Sequence, residues 1–157
     1  MTSSRRSTDL ARWLAGGLGL GRVPHAPGTA AAAVATLVAA GLIAVSPAVL
    51  AVAAVLAIGA GLWAIPKAAP SGDPSWVVID EVAGQWVALL GAVHLSIPAL
   101  VAGFLLFRAF DILKPGPIHA AERLPGAVGV MADDLAAGVV VAVILVAGRL
   151  LFRGLVA

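Results

Sequence analysis

The sequence predicts an all-α, polytopic membrane helical bundle, and three observations predict it. Apolar residues make up 61% of the 157-residue chain and charged residues only 11%, far from the balance of a water-soluble domain. The apolar residues fall in long Ala/Leu/Val runs that lack the alternation of a barrel strand. Hydrocarbon gives backbone groups no hydrogen-bond partners, so such runs must satisfy themselves internally, as helices. We expect about four to five membrane-embedded helices plus a short N-terminal interfacial helix, in a single domain over residues 1–157.

Residues 8–15 (TDLARWLA) form the expected interfacial helix, with Leu10, Trp13 and Leu14 on one side and arginines at headgroup level. The Gly/Pro-rich stretch that follows cannot continue a helix cheaply and reads as an ordered loop. Thr29 to Val45 and Ala48 to Ile65 are uncharged and separated by Ser46-Pro47, which makes them a tight helical hairpin. Lys67 to Ser75 returns the chain to water. Asp80 and Glu81 then open an apolar segment reaching about His94, short for a full span. Another helix runs from Pro98 to about Leu113 and ends on Arg108, Asp111 and Lys114, which share a face. After a loop with one amphipathic turn, Asp133-Asp134 opens the last helix, Leu135 to about Phe152.

Composition also excludes. The net charge of +2 comes from ten basic and eight acidic residues scattered between apolar runs, so no nucleic-acid surface is expected. No cysteine is present, which removes disulfides, thiolate metal sites and cysteine-based phosphoryl transfer. No dinucleotide or Walker fingerprint occurs. His25, His94 and His119 are too dispersed for a zinc site by spacing, and the last two read as interfacial.

With an arginine-rich N-terminus inside, alternating crossings bring Lys67, Asp73, Asp80, Glu81, Arg108, Asp111, Lys114, Asp133 and Asp134 to one membrane face. Carboxylates at a membrane edge are expensive and call for a positive partner. Oxygen donors favour Mg²⁺, and with Arg108, Lys114 and the loop amides around Gly28 and Thr29 facing it the pocket suits a phosphate monoester. Each piece also has a plainer reading: Asp133 and Asp73 as helix caps, and Arg108 with Asp111 as an ordinary i, i+3 ion pair.

Four blocks in order, GLGRVPHAPGT at 19–29, DPSWVVIDEVAGQW at 73–86, FRAFDILKPGPI at 107–118 and GVMADDLAAG at 129–138, resemble the phosphatidylglycerophosphatase A family. The resemblance implies a Mg²⁺-dependent phosphatase of the bacterial inner membrane, working on its cytoplasmic face. It would convert phosphatidylglycerophosphate to phosphatidylglycerol and inorganic phosphate in phospholipid biosynthesis. It implies Asp80, Glu81, Asp133 and Asp134 as catalytic and metal-binding acids, with Asp73 as a further metal ligand. Arg108, Lys114, Asp111, Gly28 and Thr29 are implied on the substrate side. The sequence departs from the family at Ala31-Ala32, where a Gly-Ser pair is usual, and at Ala127-Val128, where Gly-Trp is common.

Two other functions compete. An ion-coupled transporter or channel subunit would use the acids for a coupling ion, and a membrane scaffold would use them as caps and ion pairs. The attacking group, water or an aspartate, and assembly into a homo-oligomer are left open by the sequence.

Overall fold

The computed structural model describes residues 2–70, 74–92 and 94–156, and among these residues every regular element is helical. Helix α1 (Thr2–Ala15) leads through a 3-10 segment, Gly17–Arg22, into α2 (Pro27–Val45) and α3 (Pro47–Ala68). A short α4 (Ile79–Leu89) follows, then α5 (Ile97–Leu113), the small α6 (Pro117–Glu122) and the long α7 (Gly126–Val156).

The α2–α3 hairpin forms where Ser46-Pro47 predicts it. Ser46 leaves helical geometry, its Oγ accepts a hydrogen bond from the Ala48 amide at 3.2 Å, and Pro47 takes the first helical position. Among the described residues, three helices are long and apolar enough to cross a membrane: α2, α3 and Gly126–Leu151 of α7. Their outward residues make the molecule's surface apolar, with Leu37 74%, Val55 68% and Leu56 67% exposed, as a lipid-facing surface requires. This criterion asks for a full span and does not count the shorter helices, α4 and α5, among the four to five expected to be embedded. The 17 residues of α5 make about 26 Å, whereas the 11 of α4 make only about 16 Å, roughly half a hydrocarbon core.

Helix α4 is instead packed inside the bundle, with Ile79, Asp80, Val82, Ala83, Gly84, Gln85, Ala88 and Leu89 all buried. Its closest partner is α7, and glycine makes the approach possible. A methyl group on Gly84 would lie 2.6 Å from the Asp134 carbonyl oxygen and 2.7 Å from the Phe107 ring, and one on Gly91 2.7 Å from Ala142 Cα. Gly138 in turn faces the Gly84 carbonyl. Small residues at such crossings let backbones touch where lipid supplies no hydrophobic driving force. Trp86 ties α4 to α2 by donating its indole N–H to the Ala35 carbonyl at 2.9 Å.

Two boundaries differ from expectation. α1 begins at Thr2 and packs Ala11 and Ala15 against Ala64, Ile65 and Ala68 at the end of α3. α7 begins at Gly126, whose φ of 61° suits glycine, so Asp133 and Asp134 lie two turns inside the helix. The reading of Asp133 as a helix cap therefore does not hold.

Candidate active site

The start of α2, the end of α3, the start of α4, the end of α5 and the first turns of α7 lie at one end of the bundle. Asp80 and Glu81 occupy the first turn of α4, where the helix dipole favours negative charge. The α4–α7 contact at Gly84 brings Asp134 beside them. One ligand oxygen each from Asp80, Glu81 and Asp134 lies within 4.8 Å of the others. Asp80 and Asp134 are buried and Glu81 partly so.

Gly28, at the start of α2, makes room for this cluster. A side chain there would collide with Glu81 Oε1 and come within 3.4 Å of Arg108 Nη1. Arg108 donates to Asp111, its neighbour one turn along α5, while its Nε is buried without a partner. Burial pushes the Glu81 carboxyl above its ordinary range; a hydrogen bond with Asp80 opposes this, the Asp111 charge adds to it and Arg108 opposes it. A cavity of about 320 Å³ opens onto Asp80, Glu81, Arg108, Gly28 and Thr29, with His25 and Ser75 on its wall.

The residues expected on this face thus separate into groups. Asp80, Glu81 and Asp134 come together, with Arg108, Gly28 and Thr29 lining the adjoining cavity. Asp111 is held by Arg108 and is close enough to Glu81 to act on it electrostatically. Asp133 points elsewhere: its Oδ2 accepts from Lys114 Nζ at 2.6 Å and its Oδ1 from the Asp134 amide at 3.0 Å. Lys114 also reaches Glu122 at 3.0 Å, so it joins the end of α5 to α6 and α7 and does not line the cavity. Asp73 lies outside the described residues.

Two polar residues at the site, and a third one turn further along α4, escaped the sequence reading. His25 lines the cavity with a φ of 71°, and Ser75 lines it beside the α4 start. Gln85 is fully buried one turn beyond Glu81, and neither amide atom has a partner. Its signal was present, a lone amide four residues from a carboxylate on an otherwise apolar helix. His25 offered no signal by spacing, because Asp80, Glu81 and Arg108, which it meets across the cavity, come from α4 and α5.

The donor set fits a hard divalent cation. All three ligands are carboxylate oxygens, and Glu81 Oε2 and Asp134 Oδ2 are buried without hydrogen-bond partners. Buried carboxylate oxygens left without a donor beside one another call for a cation, and an oxygen-only set suits Mg²⁺ better than zinc.

Fold and site define a helical membrane protein with an acidic, cation-competent centre at one end of its bundle. A family model described as phosphatidylglycerophosphatase A matches residues 13–149. The chain belongs to the phosphatidylglycerophosphatase A family, a family of phosphatases. It is 36% identical over 137 residues to a Bacteroides thetaiotaomicron protein named "Putative phosphatidylinositol-3-phosphatase", covering 78% of this chain and 83% of that one. It is 39% identical over 74 residues to the phosphatidylglycerophosphatase A of Escherichia coli K12, covering 46% of this chain and 43% of the relative. The Haemophilus influenzae protein of the same name is 38% identical over 76 residues, covering 48% and 47%. The matched segments thus span less than half of these last two relatives. No solved structure matches the chain.

Proposed function

We propose that the protein is a Mg²⁺-dependent lipid phosphatase that hydrolyses phosphatidylglycerophosphate to phosphatidylglycerol and inorganic phosphate. The observation that carries this reading is the meeting of Asp80, Glu81 and Asp134 within 4.8 Å beside a cavity that also holds Arg108. Family membership and two relatives named phosphatidylglycerophosphatase A support the substrate. Bacterial relatives and three spanning-length helices support an inner-membrane location, and the arginine-rich N-terminus supports a site facing the cytoplasm. On this reading α1, with Leu10 and Trp13 exposed, lies along the membrane surface.

The chain's own residues divide the work. Arg108, steered by Asp111, presents a guanidinium to the terminal phosphate, whose oxygens accept its N–H groups. Thr29 and the first amides of α2 face the same phosphate from the other wall of the cavity. Asp80, Glu81 and Asp134 hold Mg²⁺, which when bound would offset the charge that builds on the phosphoryl oxygens. Lys114 and Asp133 keep α5 and α7 in register, so their part is positioning.

Phosphate release from phosphatidylglycerophosphate in detergent, with Mg²⁺ and with chelator, tests the proposal. Metal-stimulated release that Glu81→Gln abolishes is the expected result. A folded, purified protein that releases no phosphate under either condition overturns it. The relative named for phosphatidylinositol-3-phosphate motivates a second substrate for the same assay, since that lipid also presents a phosphomonoester on its headgroup. A transporter reading is not favoured, because the acids gather at one end of the bundle.

A further inference from the structure

A larger cavity, about 650 Å³, lies beside the acidic one. Asp9, Arg12 and Trp13 of α1 line it together with Arg22 and Trp76. The chain at 75–77 borders both: Ser75 and Val77 line the acidic cavity, and Trp76 between them lines the larger one. This partition is fixed by close packing. Gly21 lies directly against the Trp76 carbonyl, where a side chain would overlap it, and a methyl group on Gly16 would come within 3.6 Å of the same oxygen.

The larger cavity is cationic, and its cations are uncommitted. Arg12 and Arg22 are exposed, and neither they nor Asp9 form an ion pair among the described residues. Two guanidinium groups and one carboxylate leave a single net positive charge. That balance matches a phosphodiester, which carries one negative charge, better than a phosphomonoester, which carries about 1.5 to 2 at neutral pH. Guanidinium forks bind phosphate oxygens in pairs, and tryptophan faces suit the headgroup layer.

We propose that this cavity is a second phosphate subsite, in which Arg12 and Arg22 hold the bridging phosphodiester of a lipid whose distal phosphomonoester lies at Asp80, Glu81 and Asp134. The inference rests on the function proposed above and names what would give it specificity. A substrate with two phosphates joined by a short polyol fills both cavities across the 75–77 partition. Phosphatidate, whose monoester sits directly on diacylglycerol, fills only one.

The test compares wild type with Arg12→Gln/Arg22→Gln in mixed micelles, on phosphatidylglycerophosphate and on phosphatidate. KM and kcat are measured for each lipid, or Ki where the lipid is bound without turnover. Loss of two charge-assisted contacts should raise KM for phosphatidylglycerophosphate by about tenfold or more, with kcat little changed and the phosphatidate constant unmoved. Arg5→Gln/Arg6→Gln removes equal charge from the same helix outside the cavity and should leave both constants as they are. A KM unchanged for phosphatidylglycerophosphate, or raised equally for both lipids, overturns the subsite while leaving the phosphatase intact. A wild type that releases no phosphate from phosphatidylglycerophosphate overturns both.

Discussion

Gly28 and Glu81 occupy one another's space: the first turn of α2 carries no side chain at the point where the Glu81 carboxylate stands. The acidic centre therefore depends on a missing methyl group as much as on its charges.

Gly28→Ala should separate activity from stability. The atoms that an added methyl meets are the far end of the flexible Glu81 side chain, which can swing aside without moving a helix. We expect thermal stability within about 1 kcal/mol of wild type, with Mg²⁺ affinity weakened about 10- to 100-fold. Thermal unfolding and a Mg²⁺ titration of phosphate release check this, and an unaltered Mg²⁺ requirement would contradict it.

Gly84→Ala should act in the opposite way. Its methyl would meet Asp134 backbone, 2.6 Å from the carbonyl oxygen, which cannot rotate out of reach. Pushing α4 off α7 should destabilise the protein by about 1–3 kcal/mol and lower activity as well. Denaturation in detergent gives the first number, and a variant as stable as wild type would show that the helices re-space freely.

Gln85→Met should raise metal-free stability. The buried amide has no partner, and an unsatisfied polar group in a core costs about 1–3 kcal/mol, which an apolar side chain of similar shape does not incur. The measurement is Tm in chelator; a fall there would mean that the amide is satisfied within the protein.

Lys114→Met should leave the buried Asp133 carboxylate without its partner. Because Lys114 is about one-quarter exposed, we expect a loss of about 1–3 kcal/mol, less than for a fully buried pair. The Mg²⁺ dependence of the remaining activity should not change, since neither residue lines the acidic cavity. A shifted Mg²⁺ requirement would place Lys114 at the chemistry after all.

The hydrogen bond from Lys114, and then its charge, holds the Glu122 carboxyl below its ordinary value of 4.5. A depressed folded value means that Glu122 contributes stability above pH 4.5 and loses it as pH falls through the folded value. Wild type and Glu122→Gln should therefore converge in Tm as pH drops below 4.5 and stay apart at pH 6. Parallel curves across that range would remove the linkage.

Much of this architecture is legible in the sequence where one local rule decides. Ser46-Pro47 marks the hairpin because both residues act on their own backbone. The start of α7 is not legible, because the Gly/Pro-rich run from Lys114 hides a helix that begins at Gly126, before any polar signal. The Asp133-Asp134 pair shows why the site was only partly readable. Neighbours on a helix diverge by about 100°, so one carboxylate must face α4 and the other must turn away. Which one does so depends on the Gly84 contact, and that contact joins residues 50 positions apart. In the same way, Asp80, Glu81 and Gln85 are conspicuous on an apolar helix, whereas His25 and Ser75 become informative only once the start of α2 is packed against α4 and α5.

The length of α7 bears on how a lipid reaches the centre. Its 31 residues make about 46 Å, and the part beyond Asp134 still makes about 33 Å, enough to traverse a hydrocarbon layer of about 30 Å. The turns that precede Asp134 are surplus to that traverse and can rise among the headgroups. On the proposed function, a diacyl substrate can then be dephosphorylated without extraction from its leaflet: its tails stay among their neighbours, and only the polar end need bend toward the protein.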